Sequence, residues 1–265
     1  MSNPKFSVIT PAYNASAYIE STIQSVLQQS FADFEHIIVD DHSTDATLTL
    51  AQSYANKDSR FRVLQTDQRS GGPARPRNIG IASAQGTFVA LLDADDLWGP
   101  DKLRHDALFL AQNPELDGVY SGCDYFLGDP ANVRFRVRPK KMNRRILITN
   151  PIPTLTFAFK RSLFSEEGFR FDEEPALRAI EDYHLALEMY LKGKKFNVRP
   201  GCDAYYRMMS NGSIYSANDK ELNIRRHLYN FSKMAWKAQL PANTVLTAGM
   251  ALLALLAVRR VTGRI

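Results

Sequence analysis

Two stretches of this chain run from a buried-strand pattern straight into clustered carboxylates, and that repetition narrows the fold more than any other feature. Residues 88–98, FVALLDADDLW, pass from five apolar residues into Asp93, Asp95 and Asp96 within four positions. Residues 36–39 are again apolar or β-branched for the most part and end in Asp40 and Asp41. Carboxylates packed this closely raise one another's proton affinity, and a hard divalent cation relieves them by sharing their charge. The knot at 93–96 therefore reads as a metal and phosphate site. It reads equally as a solvated turn in which Asp96 or Asp101 caps the helix opened by Gly99-Pro100, since Pro is at home in a first helical turn.

The segments around the two knots alternate. Residues 6–10 form a strand-like run closed by Pro11, after which Asn14 or Ser16 can cap a helix with Ile19, Ile23, Val26 and Leu27 on one face. A helical pattern through Leu48, Leu50 and Tyr54 and a strand at 61–64 follow the first knot. Strand and helix in alternation predict right-handed crossovers and a mostly parallel α/β sheet flanked by helices. Ligands of such sheets sit at the carboxyl ends of the strands, which gives both acidic groups one address.

Between them, residues 70–78 (SGGPARPRN) make a flexible turn into a short helix at 79–84, with Arg75 and Arg77 as positive charge beside the acids. The turn has neither a Walker GK[ST] nor a GxGxxG pattern, so it carries no nucleotide fingerprint of those kinds. A helix over 100–112 and strands at 119–121 and 157–159 are expected next. From Arg134 to Arg145 seven of twelve residues are basic, either a solvated face or a flap toward an anionic acceptor or membrane headgroups. Glu181 and Asp182 lead into a helix at 183–191 that is apolar nearly all round and hence buried. Neighbouring helical residues point about 100° apart. One of the two acids suits the helix dipole, and the other is free to face a cleft.

Residues 245–258 hold no charge and meet Arg259, Arg260 and Arg264. As a helix they would reach about 21 Å, short of the roughly 30 Å hydrocarbon core, so a membrane surface or a second copy of the chain is the expected contact. The N-terminus shows no signal-peptide pattern, which places the catalytic body in the cytoplasm. The two cysteines, Cys123 and Cys202, are too few for a disulfide framework and read as thiols in a reducing compartment. A net charge of +5 suits an anionic partner. Nucleic acid is not expected, because helix-turn-helix, zinc-finger and aromatic-interleaved basic signals are missing.

VITPAYN, VDDHSTDAT, GGPARPRNIGIASAQG, LLDADDLW and the later IED, in this order, resemble the family 2 inverting glycosyltransferases of the GT-A fold. The resemblance implies one domain over 1–240, with a nucleotide-sugar half at 1–122 and an acceptor half at 123–240, followed by an apolar C-terminal helix at 241–265. It implies that Pro11, Ala12 and Tyr13 line the nucleotide base and that Asp41 hydrogen-bonds uracil. Asp93 and Asp95 become the acids of a DxD motif binding Mg²⁺ or Mn²⁺, with Asp95 the direct ligand and Asp93 nearer the ribose. Arg77 approaches the base or diphosphate, Asp96 faces the acceptor side or caps the next helix, and Asp182 is the catalytic base with Glu181 beside it. Tyr206-Arg207 matches the pair that in many relatives precedes a His; here Met208 follows. The implied reaction moves one sugar from a UDP-sugar to a glycan or lipid-linked hydroxyl in polysaccharide synthesis. Two other readings compete: a non-catalytic sugar-nucleotide or glycan-binding module, and a nucleotidyltransferase. The second calls for a Gly-rich, Lys-bearing loop after the first strand, where 11–14 read Pro-Ala-Tyr-Asn.

Overall fold

The computed structural model describes residues 4–139, 141–143, 146, 150, 152–208, 229, 230, 233 and 234. The predicted C-terminal helix at 241–265 lies outside the described residues. Strands β1 (Phe6–Ala12) and β2 (Phe34–Asp40) are buried at every position. Successive strand side chains point to opposite faces, so Ile9, Ile37 and Val39 enter one apolar core while Phe6, Val8 and Ile38 enter the other. Helices cover both faces, which is why these strands read as continuous apolar runs.

β3 (Phe61–Gln65), β2, β1 and β4 (Phe88–Leu91) are parallel neighbours. Beyond β4 the sheet turns mixed. β8 (Ala158–Lys160) runs antiparallel to both β4 and β6 (Gly118–Phe126), and β6 is parallel to β9 (Phe196–Arg207). β5 (Leu97–Trp98) and β7 (Val133–Val137) pair antiparallel to β9 and β6. The expectation of a mostly parallel sheet thus describes the first half of the chain. Register pairs Phe6 with Phe34 and with Phe88 and sets Ala12 opposite Asp40. Tyr13, Asp41 and Asp93 consequently emerge from one edge.

Helices α1 (Ile19–Leu27), α2 (Thr47–Ala55) and α4 (Lys102–Gln112) follow the sequence pattern closely, but their caps do not. Neither Asn14 nor Ser16 caps α1; the entry loop instead donates Ala15 N to Thr47 Oγ1 at 2.7 Å and Ser16 N to Asp45 Oδ2 at 3.0 Å. Asp101 stands at the N-cap position of α4 but neither it nor Asp96 makes a side-chain cap; Leu103 N donates instead to Oε1 of Gln29, just after α1, at 3.0 Å. Helix α3 spans Ala74–Ser83, five residues earlier than expected. Pro76 falls in its first turn, where no intrahelical N–H is required. Gly80 lets α3 press onto β1, since a Cβ there would lie 2.7 Å from Ile9 Cγ2. A short helix, α5 (Ser162–Ser165), and α6 (Glu181–Leu191) complete the set.

His36 is a fully buried polar residue in β2. Nε2 meets Thr10 Oγ1 at 2.8 Å, Nδ1 has no partner among the described residues, and burial pushes the imidazole down to about 3. The folded state therefore holds His36 neutral while the unfolded chain binds a proton below its ordinary value near 6.5. The resulting stability is full above that value and is lost as pH falls toward 3. Thermal melting should drop steeply on acidification from pH 6.5 to 4, and His36→Gln should flatten that slope. Buried His184, also shifted down by burial, contributes in the same direction.

Candidate active site

The acids of the central knot occupy different surroundings because the turn after β4 folds back on itself, with Asp96 N donating to Asp93 O at 3.1 Å. Asp96 is 1% exposed and accepts Arg207 N at 2.8 Å, which fastens the end of β9 to the turn. Arg207 also donates Nε to Asp95 O at 2.7 Å and lies over the rings of Phe126 and Tyr18 at 4.7 and 5.1 Å. It braces the turn from outside. Asp93 accepts Arg77 Nη2 at 2.7 Å. Among the described residues no side chain donates a hydrogen bond to the Asp95 carboxylate; burial first, and then the charge of Asp93, push it up to about 6.

Arg77 joins the two halves of the molecule. It is 3% exposed, and its second terminal nitrogen donates to Glu181 Oε1 at 2.7 Å, 104 residues along the chain. Asp93 and Glu181 hold its charge on, while Nε is buried without a partner among the described residues. Both outer nitrogens are thus committed to protein carboxylates. Glu181 is 4% exposed, its carboxyl raised chiefly by burial and lowered in part by Arg77. Asp182, the next residue, turns the other way. It accepts Thr154 Oγ1 in a short hydrogen bond, Asn150 Nδ2 at 3.4 Å and its neighbour Tyr183 N at 2.7 Å. Asp182 lines a cleft of about 270 Å³ together with Asp93, Asp96, Tyr125 and Tyr206. Thr154 and Asn150 carried no sequence motif; Pro153, which orients the turn before Thr154, was the only local signal.

At the other end of the edge, Asp41 is 3% exposed and accepts four protein donors: Thr66 Oγ1 at 3.0 Å, Ser70 N at 2.8 Å, Ser70 Oγ at 2.9 Å and Gly71 N at 3.2 Å. A carboxylate offers about four acceptor positions, so this one is saturated. The loop that saturates it also places the Arg69 guanidinium over the Tyr13 ring at 4.3 Å. Pro11 and Ala12 are buried behind Tyr13, which is 37% exposed. His42 stands at φ 57, a left-handed conformation in which His is more frequent than most residues, and its Nε2 lies 2.6 Å from Thr66 O. Burial pushes the Cys202 thiol up to about 12 and Cys123 higher, so neither is a nucleophile near neutral pH.

Among the described residues no group of three or more His, Cys, Asp or Glu side chains forms a complete metal cage. Magnesium and manganese sites that share a diphosphate need only one or two carboxylates. Asp95, half-buried beside a like charge and without a side-chain donor among the described residues, fits that requirement, and Asp93 fits as its neighbour. The described helices include none long and apolar enough to cross a membrane.

Residues 7–170 match the family model described as Glycosyl transferase family 2. The chain is 34% identical over 243 residues to the putative teichuronic acid biosynthesis glycosyltransferase TuaG of Bacillus subtilis (strain 168), covering 88% of this chain and 92% of that protein. It is 31% identical over 224 residues to the poly(ribitol-phosphate) beta-N-acetylglucosaminyltransferase TarS of Staphylococcus aureus (strain Mu50 / ATCC 700699), covering 80% of this chain but 37% of that longer relative. The crystal structure of S. aureus TarS 1-349 in complex with UDP-GlcNAc superposes with a TM-score of 0.72 at 26% identity, covering 94% of this chain and 71% of that one. Sheet order, acid-bearing strand ends and sequence agree: the chain belongs to glycosyl transferase family 2 and has its GT-A fold.

Proposed function

We propose that this chain is a metal-dependent inverting glycosyltransferase that moves one sugar from a UDP-sugar to a hydroxyl of a glycan or lipid-linked acceptor in cell-surface polysaccharide synthesis, acting in the cytoplasm or at the cytoplasmic membrane surface. The observation that carries the reading is one cleft lined by Asp93, Asp96 and Asp182 together. TuaG, TarS and a beta-1,3-glucosyltransferase of Escherichia coli acting from UDP-Glc on a diphosphoundecaprenol acceptor, 32% identical over 219 residues, support the class of donor and acceptor.

Asp95, with Asp93, would hold a divalent cation against the donor diphosphate, and that cation supplies Lewis-acid stabilisation of the leaving nucleotide. The chain's own residues do the rest. Asp182 takes the proton of the acceptor hydroxyl as its oxygen attacks the anomeric carbon from the face opposite the leaving group. One displacement with one base inverts the configuration. Thr154 fixes the rotamer of Asp182, and the Arg77 bridge keeps helix α6 at a set distance from the acid turn, so positioning lowers much of the barrier. Release of UDP from UDP-sugars by the full chain, followed with Mn²⁺ and with chelator, tests the reading. Binding of UDP without turnover of any donor would favour the binding module instead.

A uracil that lies on Tyr13 and hydrogen-bonds Asp41 takes the places now held by Arg69 and by a Ser70 or Gly71 donor. The loop must give way for the base to enter. Arg69→Ala removes a partly exposed cation–π contact and should tighten UDP two- to fivefold in calorimetry, from about 0.5–1 kcal/mol. Weaker binding would mean that Arg69 closes over the base.

A further inference from the structure

The acceptor half holds one arrangement that the donor chemistry does not use. Phe135 on β7, Tyr125 on β6 and Tyr206 on β9 are register partners across three adjacent strands. Their side chains consequently stand in one row on one face of the sheet. Tyr125 stacks on Phe135 with centroids 4.4 Å apart and packs against Tyr206 at 4.6 Å with the rings tilted by 31°. The inner two rings line the cleft that contains Asp182, and Phe135 continues the row to the surface, where it is 49% exposed.

We propose that this three-ring row is the acceptor platform, in which a neutral pyranose ring lies against the cleft-side edges of Tyr206 and Tyr125 with its nucleophilic hydroxyl toward Asp182, and the next sugar packs on the exposed Phe135. The inference rests on the glycosyltransferase reading and deepens it. A pyranose offers an apolar face of C–H groups and a rim of hydroxyls, and the cleft offers both complements. Tyr125, Tyr206 and Val137 form an aromatic and aliphatic wall, while Asn150, Thr154 and Asp182 supply polar groups. Burial and the nearby carboxylates hold both phenols protonated, so each remains a hydroxyl donor. A volume of about 270 Å³ lies near the lower end for ligand pockets, which suits one ring and leaves the following one to the open surface.

A lipid chain in this place would desolvate Asp93 and Asp182 without replacing their water. A polyanion would meet the same carboxylates. Arg136 of β7 does not offset them, because it alternates with Phe135 and Val137 and falls on the opposite face of the strand, beside its register partner Asp124. Arg136 is further committed to Asp124 through two 2.6 Å hydrogen bonds. The remainder of the basic run, apart from Lys141, lies outside the described residues.

Saturation-transfer NMR on the full chain with UDP and Mg²⁺ tests the platform, with cellobiose, N,N′-diacetylchitobiose, maltose and lactose as probes. At least one disaccharide should receive saturation on its ring protons. Phe135→Ala should weaken it about five- to tenfold, Phe135→Tyr should restore it, and Arg134→Ala/Arg138→Ala should leave it unchanged. UDP affinity, measured by calorimetry, should be the same in the Phe135 variants as in the parent chain, which also shows that they fold. Undiminished disaccharide binding in Phe135→Ala, a loss in the arginine variant instead, or no contact with any of the four probes overturns the platform. Failure of the parent chain to bind UDP would strike the glycosyltransferase reading itself, a separate result.

Discussion

Asp182→Asn is expected to lower the turnover of donor with acceptor by about 10²–10⁴-fold, the usual size of a lost general base, while UDP affinity stays near that of the parent chain. The amide keeps the shape of the side chain and can still accept from Thr154 through its carbonyl oxygen, so the packing around α6 is retained. Only the capacity to take a proton is removed. Glu181 cannot substitute, because its Oε1 is tied to Arg77 and its Oε2 is buried. Stopped-flow or coupled detection of UDP release gives the readout. Turnover within a few-fold of the parent would remove Asp182 from the reaction and leave the cleft without a base.

Arg77→Met should have the largest effect on stability. The guanidinium bridges Asp93, which is 30% exposed in its side chain, and Glu181, which is 6% exposed. Its removal leaves a carboxyl deep in an apolar neighbourhood with no counter-charge. Breaking a buried pair from one side typically costs 3–5 kcal/mol. The solvent access of Asp93, and protonation of Glu181, argue for the lower figure, about 3 kcal/mol. At roughly 2–4 °C per kcal/mol for a domain of this size, the melting midpoint should fall by about 6–12 °C. Lys at this position cannot hold two carboxylates in a fork and should recover only part of the loss. Glu181→Gln added to Arg77→Met should be less harmful than the sum of the singles, since it withdraws the orphaned charge. Additive losses would mean that the bridge does not couple the two halves.

Much of the first half of the chain is legible in the order of residues. β1, β2 and β4 announce themselves because strands covered on both faces must be apolar throughout, and the acids that follow them stand at the strand ends where ligands meet such a sheet. The early start of α3 was hidden by Pro76, which reads as a break unless its place in the first turn is known. The caps of α1 and α4 were hidden because Thr47, Asp45 and Gln29 satisfy those helices from other elements. Local sequence points to Asn14, Ser16, Asp96 and Asp101 and cannot see donors and acceptors that tertiary folding brings in.

The same distinction separates the two halves of the site. Asp95 and Asp182 belong to motifs that repeat the chemistry in a few adjacent residues. The Arg77–Glu181 bridge joins positions 104 residues apart, and the Phe135–Tyr125–Tyr206 row depends on the register of three strands whose pairing shifts after Tyr125 toward β7 and between Tyr120 and Asp124 toward β9. Neither has a local period or spacing to betray it. The basic run from Arg134 reads as one charged surface in sequence; within β7, alternation puts Arg136 on the face opposite the aromatic row, where it pairs with Asp124.

The central claim is that Asp93 and Asp95 form, with the donor diphosphate, a shared metal site. Calorimetric titration of the full chain with UDP, first in Mn²⁺ and then with the metal removed by chelator, addresses it most directly. Binding should be at least tenfold tighter with the metal, and Asp95→Asn should lose that difference while retaining the metal-free affinity. Equal affinity in metal and chelator, or an undiminished metal effect in Asp95→Asn, would contradict it.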